Sequence, residues 1–160
     1  MISHAVSCDV LIKACEEVFG TMVFMSVASA DELHKQSDSD SLMGSITFDG
    51  TLAGCLGFHC DLTCATAVAK NMLCMEPEDE ITQSEINDAL GEIANMLLGS
   101  IKANEEAFGK IHVSIPTVVR GREIEHNLGE NANEAVSPVA LDGQYGAELS
   151  LWWREDDTAQ

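Results

Sequence analysis

The chain has 160 residues, 46% hydrophobic and 22% charged, which suits one domain with a hydrophobic core and not a disordered chain. Its 27 acidic and 8 basic residues give a formal charge of −19. That balance excludes the Lys/Arg footprint of a nucleic-acid binder and disfavours anionic membrane surfaces.

No apolar run reaches the roughly 18–20 residues of a membrane-spanning helix. Met1-Ile2-Ser3-His4 has no cationic segment leading into an apolar block, as a signal peptide would. A single cytoplasmic domain over residues 1–160 is expected.

Cys8 to about Met22 reads as a first helix, with Val10, Leu11, Cys15, Val18 and Phe19 as its apolar stripe. Asp31 to Ser41 is Ser/Asp-rich and reads as a loop. Ile46 and Phe48 alternate with Ser45 and Thr47, Asp49-Gly50 offers a turn, and Leu52 to His59 returns, which predicts a hairpin. Asp61 to Cys74 reads as a second helix with Asp61 at its N-cap. Glu76 to Glu80 is an acidic linker that Pro77 keeps from being helical.

A third helix runs from about Thr82 to Asn104, opened by the capping-box spacing of Thr82 and Glu85. Beyond Gly109, Ile111, Val113 and Ile115 alternate with His112 and Ser114 in a strand ending at Pro116. Val118-Val119 can continue it as far as Gly121. Asn127 to Asn133 reads as a polar loop. Val136–Leu141 and Ala147–Trp153 bracket Asp142 to Gly146 as a second hairpin, its last strand placing Leu149, Leu151 and Trp153 on one face. Helices and hairpins in blocks, without β-α-β alternation, predict an α+β fold with helices packed against an antiparallel sheet.

Six cysteines in a chain of this length without a signal peptide are expected as reduced, mostly buried thiols. His59, Cys60 and Cys64 make the best metal candidate, but nothing in the sequence completes a four-ligand set, so no metal site is expected. There is no GxxxxGK[ST] phosphate loop and no Gly-x-Ser-x-Gly elbow.

The third helix is the most informative segment. At about 100° per residue, Asp88, Glu92, Asn95 and Gly99 fall within an arc of roughly 60°. Ile86, Leu90, Ile93, Leu97 and Ile101 fall on the opposite side. A carboxylate and a carboxamide thus sit side by side, with Gly99 leaving the stripe clear. Glycine inside an exposed helix costs about 1 kcal/mol against alanine, which points to close approach by something. Spacing alone also suits an ordinary solvated face, and Glu130 with Asn133 repeats the Glu-x-x-Asn pattern in a segment without helical periodicity.

Asp88-x-x-x-Glu92-x-x-Asn95, with Gly99 behind it and Pro116 downstream, resembles the signature of the CheC/CheX/FliY chemotaxis phosphatases. Asp88 to Gly99 and Ser114 to Gly121 are similar to the CheX form in particular, and the resemblance extends over roughly residues 43–153. It implies a phosphatase acting on the phosphoaspartate of a CheY-like response regulator. Glu92 would pair with the receiver's active-site Lys, and Asn95 would hold the attacking water. Asp88, Gly99 and Pro116 would support the surface.

The family also implies no cofactor of the chain's own, Mg²⁺ held by the partner receiver, and a homodimer joined through sheet edges. Glu148 to Trp153 is the candidate edge. Glu16-Glu17 on the first helix has no matching Asn, so one site per chain is expected. Three alternatives remain: a docking module without hydrolysis, a flagellar-switch component, and a metal-linked or redox domain using His59, Cys60 and Cys64.

Overall fold

The computed structural model describes residues 6–30, 40–121 and 132–155. In chain order these form α1 (Cys8–Val18), a π-helical turn (Phe19–Val23), β1 (Val27–Ser29), β2 (Ser41–Gly50) and β3 (Leu52–Asp61). Then come α2 (Leu62–Met72), α3 (Gln83–Asn104), a 3-10 turn (Glu106–Phe108), β4 (Ile111–Val113) and β5 (Thr117–Arg120). β6 (Asn133–Leu141) and β7 (Tyr145–Glu155) complete the fold. The strands form one seven-stranded antiparallel sheet in the order β1-β6-β7-β3-β2-β4, with β5 also pairing β2. This is the expected α+β arrangement of helices on an antiparallel sheet.

Alternation builds the layers. In β2 the side chains of Leu42, Ile46 and Phe48 are buried, and in β7 those of Leu149 and Leu151. They form one core cluster with Leu90, Ile93, Leu97 and Ile101 of α3. Each such side chain contributes about 1.5–3 kcal/mol relative to leaving it in water. Gly44 removes the side chain where α3 crosses β2: a Cβ there would lie 2.8 Å from the carbonyl oxygen of Leu90. The helix backbone therefore rests directly on the strand.

Helix ends follow the sequence closely. The carboxylate of Asp61 accepts the Cys64 N–H at 2.7 Å and starts α2. At α3 the Glu85 N–H donates to Thr82 Oγ1 at 3.1 Å, while Thr82 N–H donates to Glu85 Oε1 at 3.2 Å. Such a cap is worth about 1 kcal/mol. At the far end, Phe108 of the 3-10 turn packs on Phe48 with ring centroids 5.4 Å apart, fixing the exit from α3 to the sheet.

Several expectations need correction. Glu148–Trp153 is not an edge: β7 is paired by β3 on one side and β6 on the other, and Leu149 to Leu151 are all buried. The strand placed at an edge on its apolar pattern is interior because two long partners flank it. Ser41 and Asn133, read as loop, open β2 and β6. The other residues of those two loops, apart from Asp40 and Ala132, lie outside the described residues, as does Glu130. The β6–β7 turn is tighter than expected, with Leu141 already opposite Tyr145. Asp142 and Gly143 adopt positive φ there, and the Asp142 carboxylate accepts the Ser26 N–H at 2.8 Å.

Candidate functional site

The third helix presents its stripe as read from the sequence. Asp88, Glu92, Asn95 and Gly99 are all exposed, while Ile86, Leu90, Ile93, Leu97 and Ile101 are buried. Residues three or four apart on a helix are surface neighbours, with Cβ atoms roughly 5–6 Å apart. Neither the Glu92 nor the Asn95 side chain hydrogen-bonds to another of the described residues. Both side chains are therefore available to an outside group. A Cβ at Gly99 would meet nothing within 4 Å, so no contact inside the fold accounts for this glycine.

The stripe is flanked on both sides. On the Glu92 side α1 packs against α3, and Ser100 Oγ donates to Glu17 Oε2 at 2.8 Å. On the Asn95 side Gly91, one helical turn before Asn95, is buried. A Cβ on Gly91 would touch Cβ and Cγ of Pro116 at 3.4 Å. Pro116, expected to support the surface, is the helix's lateral buttress. Thr117 lies in β5 with its Oγ1 3.2 Å from Ser45 Oγ.

Pro116 sits at a register slip. β4 pairs Val113 with Phe48, and β5 pairs Thr117 with Ser45. Three steps along β2 are matched by four along its partner, so one extra residue is accommodated around Ile115 and Pro116. This is a β-bulge, the device that bends a strand and re-aims a side chain beside functional sites. It also ends the alternation that the sequence carried through to Ile115: β4 stops at Val113.

Most of the thiols are buried. Cys15, Cys55, Cys60 and Cys64 are buried, and Cys8 and Cys74 are exposed. Burial, aided by the nearby Glu16 charge, pushes Cys15 up to about 12, and burial raises Cys55 to about 11. Cys60 is raised well above the thiol range by its hydrogen bond with Cys64 and by burial. Raised thiols are poor nucleophiles, because the thiolate is the reactive form. His59, one residue from Cys60 on β3, points to the other sheet face, so His59, Cys60 and Cys64 do not converge. Among the described residues no group of three or more His, Cys, Asp or Glu gathers as a metal site. No described helix is long and apolar enough to cross a membrane.

Comparison with known proteins agrees with this fold. Residues 42–140 match the family model described as "Chemotaxis phosphatase CheX". The fold is similar to the CheX structure from Vibrio vulnificus, with 20% identity, a TM-score of 0.75, and coverage of 96% of this chain and 100% of that one. It is also similar to CheX from Desulfovibrio desulfuricans, with 19% identity, a TM-score of 0.72, and 92% and 98% of the two chains covered. A third is the Borrelia burgdorferi protein solved as a CheX–CheY–BeF3–Mg²⁺ complex, with 18% identity, a TM-score of 0.70, and coverage of 92% and 97%. No curated protein matches the sequence. With a family model spanning more than half its length, this chain belongs to the CheX family of chemotaxis phosphatases.

Proposed function

We propose that this protein hydrolyses the phosphoaspartate of a CheY-like receiver domain in the cytoplasm, using Glu92 and Asn95. The observation that carries the reading is their joint exposure, side by side on a helix seated hard against the sheet, with the stripe open past Gly99. Family membership and a relative solved together with CheY support the class of partner.

Hydrolysis of an acyl phosphate suits so small a site. Phosphoryl transfer proceeds through a loose transition state, so catalysis is chiefly positioning and charge stabilisation. In this reading the Glu92 carboxylate pairs with the receiver's active-site Lys and sets the helix in its pocket. The Asn95 carboxamide, which both donates and accepts hydrogen bonds and does not ionise, holds a water in line with phosphorus. The water oxygen bonds to phosphorus as the bond to the aspartyl oxygen breaks, releasing carboxylate and inorganic phosphate, with the proton passing to solvent. Mg²⁺ is held by the receiver. Asp88 adds to the acidic surface, and Pro116 braces the helix at Gly91.

The test is loss of label from a panel of phosphorylated receiver domains given catalytic amounts of the protein. Acceleration on at least one receiver is expected; none on any would remove the reading. Glu92→Ala should raise KM for that receiver roughly thirty-fold, about 2 kcal/mol, because it leaves the receiver's Lys unpaired in the interface. An unchanged KM would take Glu92 out of docking.

The protein also forms a homodimer in this proposal. Since β7 is interior, a sheet-edge dimer through the described strands would use an outer one: β1, β4 or β5. Sedimentation equilibrium should give twice the 17.2 kDa chain mass. A monomer mass at micromolar concentration would exclude it.

A further inference from the structure

Ile115 is the most exposed large hydrophobic residue among the described residues, at 85%. Its neighbours on both sides are pinned. Ser114 N–H donates to the Thr47 carbonyl at 2.9 Å, and Ser114 Oγ accepts the Thr47 N–H at 3.0 Å. Pro116 is lodged against Gly91 of α3. The bulge falls between these two anchors, so Ile115 is held out of the core on a braced segment. Gly91 lies one turn from Asn95 on the same flank of α3, so the segment that carries Ile115 meets α3 one helical turn from the Glu92–Asn95 stripe.

We propose that Ile115 is a docking anchor for the receiver domain, seating in an apolar recess beside the phosphoaspartate pocket while Glu92 and Asn95 enter the pocket itself. The inference rests on the phosphatase reading above and adds a residue that determines which receivers are bound. Two observations select this occupant. Contiguity is the first: Pro116 packs at Gly91, one helical turn from Asn95, so a partner that brings an acyl phosphate to Asn95 approaches the segment that carries Ile115. Charge is the second. The exposed groups on and beside this face of α3 include Glu85, Asp88 and Glu92, and like charges repel a second copy of the same face. A partner offering a cation is attracted there, and an apolar contact next to that ion pair supplies short-range selectivity.

The experiment measures two quantities on one receiver: KM and kcat for dephosphorylation, and Kd for the receiver activated with beryllofluoride. Wild type, Ile115→Ser and Ile115→Leu are compared. Ile115→Ser should raise both KM and Kd about tenfold, the effect of losing an interface anchor, with kcat within about twofold. Ile115→Leu, which keeps the apolar volume, should stay close to wild type. Wild-type KM and Kd in Ile115→Ser would overturn the anchor and leave the phosphatase reading standing. Wild-type protein that binds the receiver without accelerating hydrolysis would overturn the phosphatase reading, and the Kd series would still decide on Ile115. Absence of binding as well as acceleration overturns both. A change in dimer mass with Kd unmoved would assign Ile115 to self-association and overturn the proposal.

Discussion

Asn95→Ala is expected to lower the rate of receiver dephosphorylation at saturation by about a hundredfold or more, the scale of losing a positioned reactant. Receiver affinity should hardly change. Asn95 is exposed and its side chain makes no hydrogen bond within the described residues, so its loss removes nothing that holds the helix. The thermal midpoint should therefore stay at the wild-type value or rise slightly, since alanine is the better helix former. The contrast with Glu92→Ala is the informative part. One substitution acts on kcat and the other on KM, which is the signature of a water-orienting group beside a docking group. Equal effects of both on KM alone would mean that the stripe only binds.

Gly44→Ala is expected to damage stability and activity together. An added Cβ would lie 2.8 Å from the Leu90 oxygen and 3.2 Å from its carbonyl carbon, both backbone atoms that cannot rotate aside. The helix must lift from β2, at a cost of about 1–3 kcal/mol for overpacking. The gain from a stiffer unfolded chain, about 0.4–1 kcal/mol, does not offset that. For a domain of this size the melting temperature should fall by roughly 2–10 °C. Because Leu90 lies two residues from Glu92, the shift also displaces the site, and activity should drop even well below the melting point. Gly99→Ala is the control: nothing lies within 4 Å of its Cβ, so helix propensity should leave the fold as stable or more so. A Gly44→Ala protein with unaltered melting and unaltered turnover would show that α3 is not seated as described.

Local signals in the sequence located the third helix well. The Thr82–Glu85 capping box, the Asp61 cap and the apolar face from Ile86 to Ile101 are all decided within a few residues of chain, and all appear in the structure. The exposure of Asp88, Glu92, Asn95 and Gly99 follows from the same periodicity. Features set by distant partners were not legible. β1 is only three residues, Val27–Ser29, without an alternating pattern, and exists because β6 offers it Val139 to Leu141. The interior place of β7 depends on β3 and β6 flanking it. The bulge at Ile115 and Pro116 depends on two separate pairings with β2, so alternation along the chain ran on past its true end. Gly91 gave no signal as a seat for Pro116, because that contact joins residues twenty-five positions apart. The cue that could have been used was Pro116 itself, since a proline inside a strand pattern marks an edge or a bulge.

The most direct test of the central claim is multiple-turnover phosphate release from one responsive, phosphorylated receiver domain, with this protein at one-fiftieth of the receiver concentration. The account predicts a rate that rises linearly with added wild-type protein, many phosphates released per chain, and no rise with Asn95→Ala. Release that stops at one phosphate per chain, or that proceeds equally with Asn95→Ala, would contradict it and leave a docking module whose exposed stripe binds without hydrolysing.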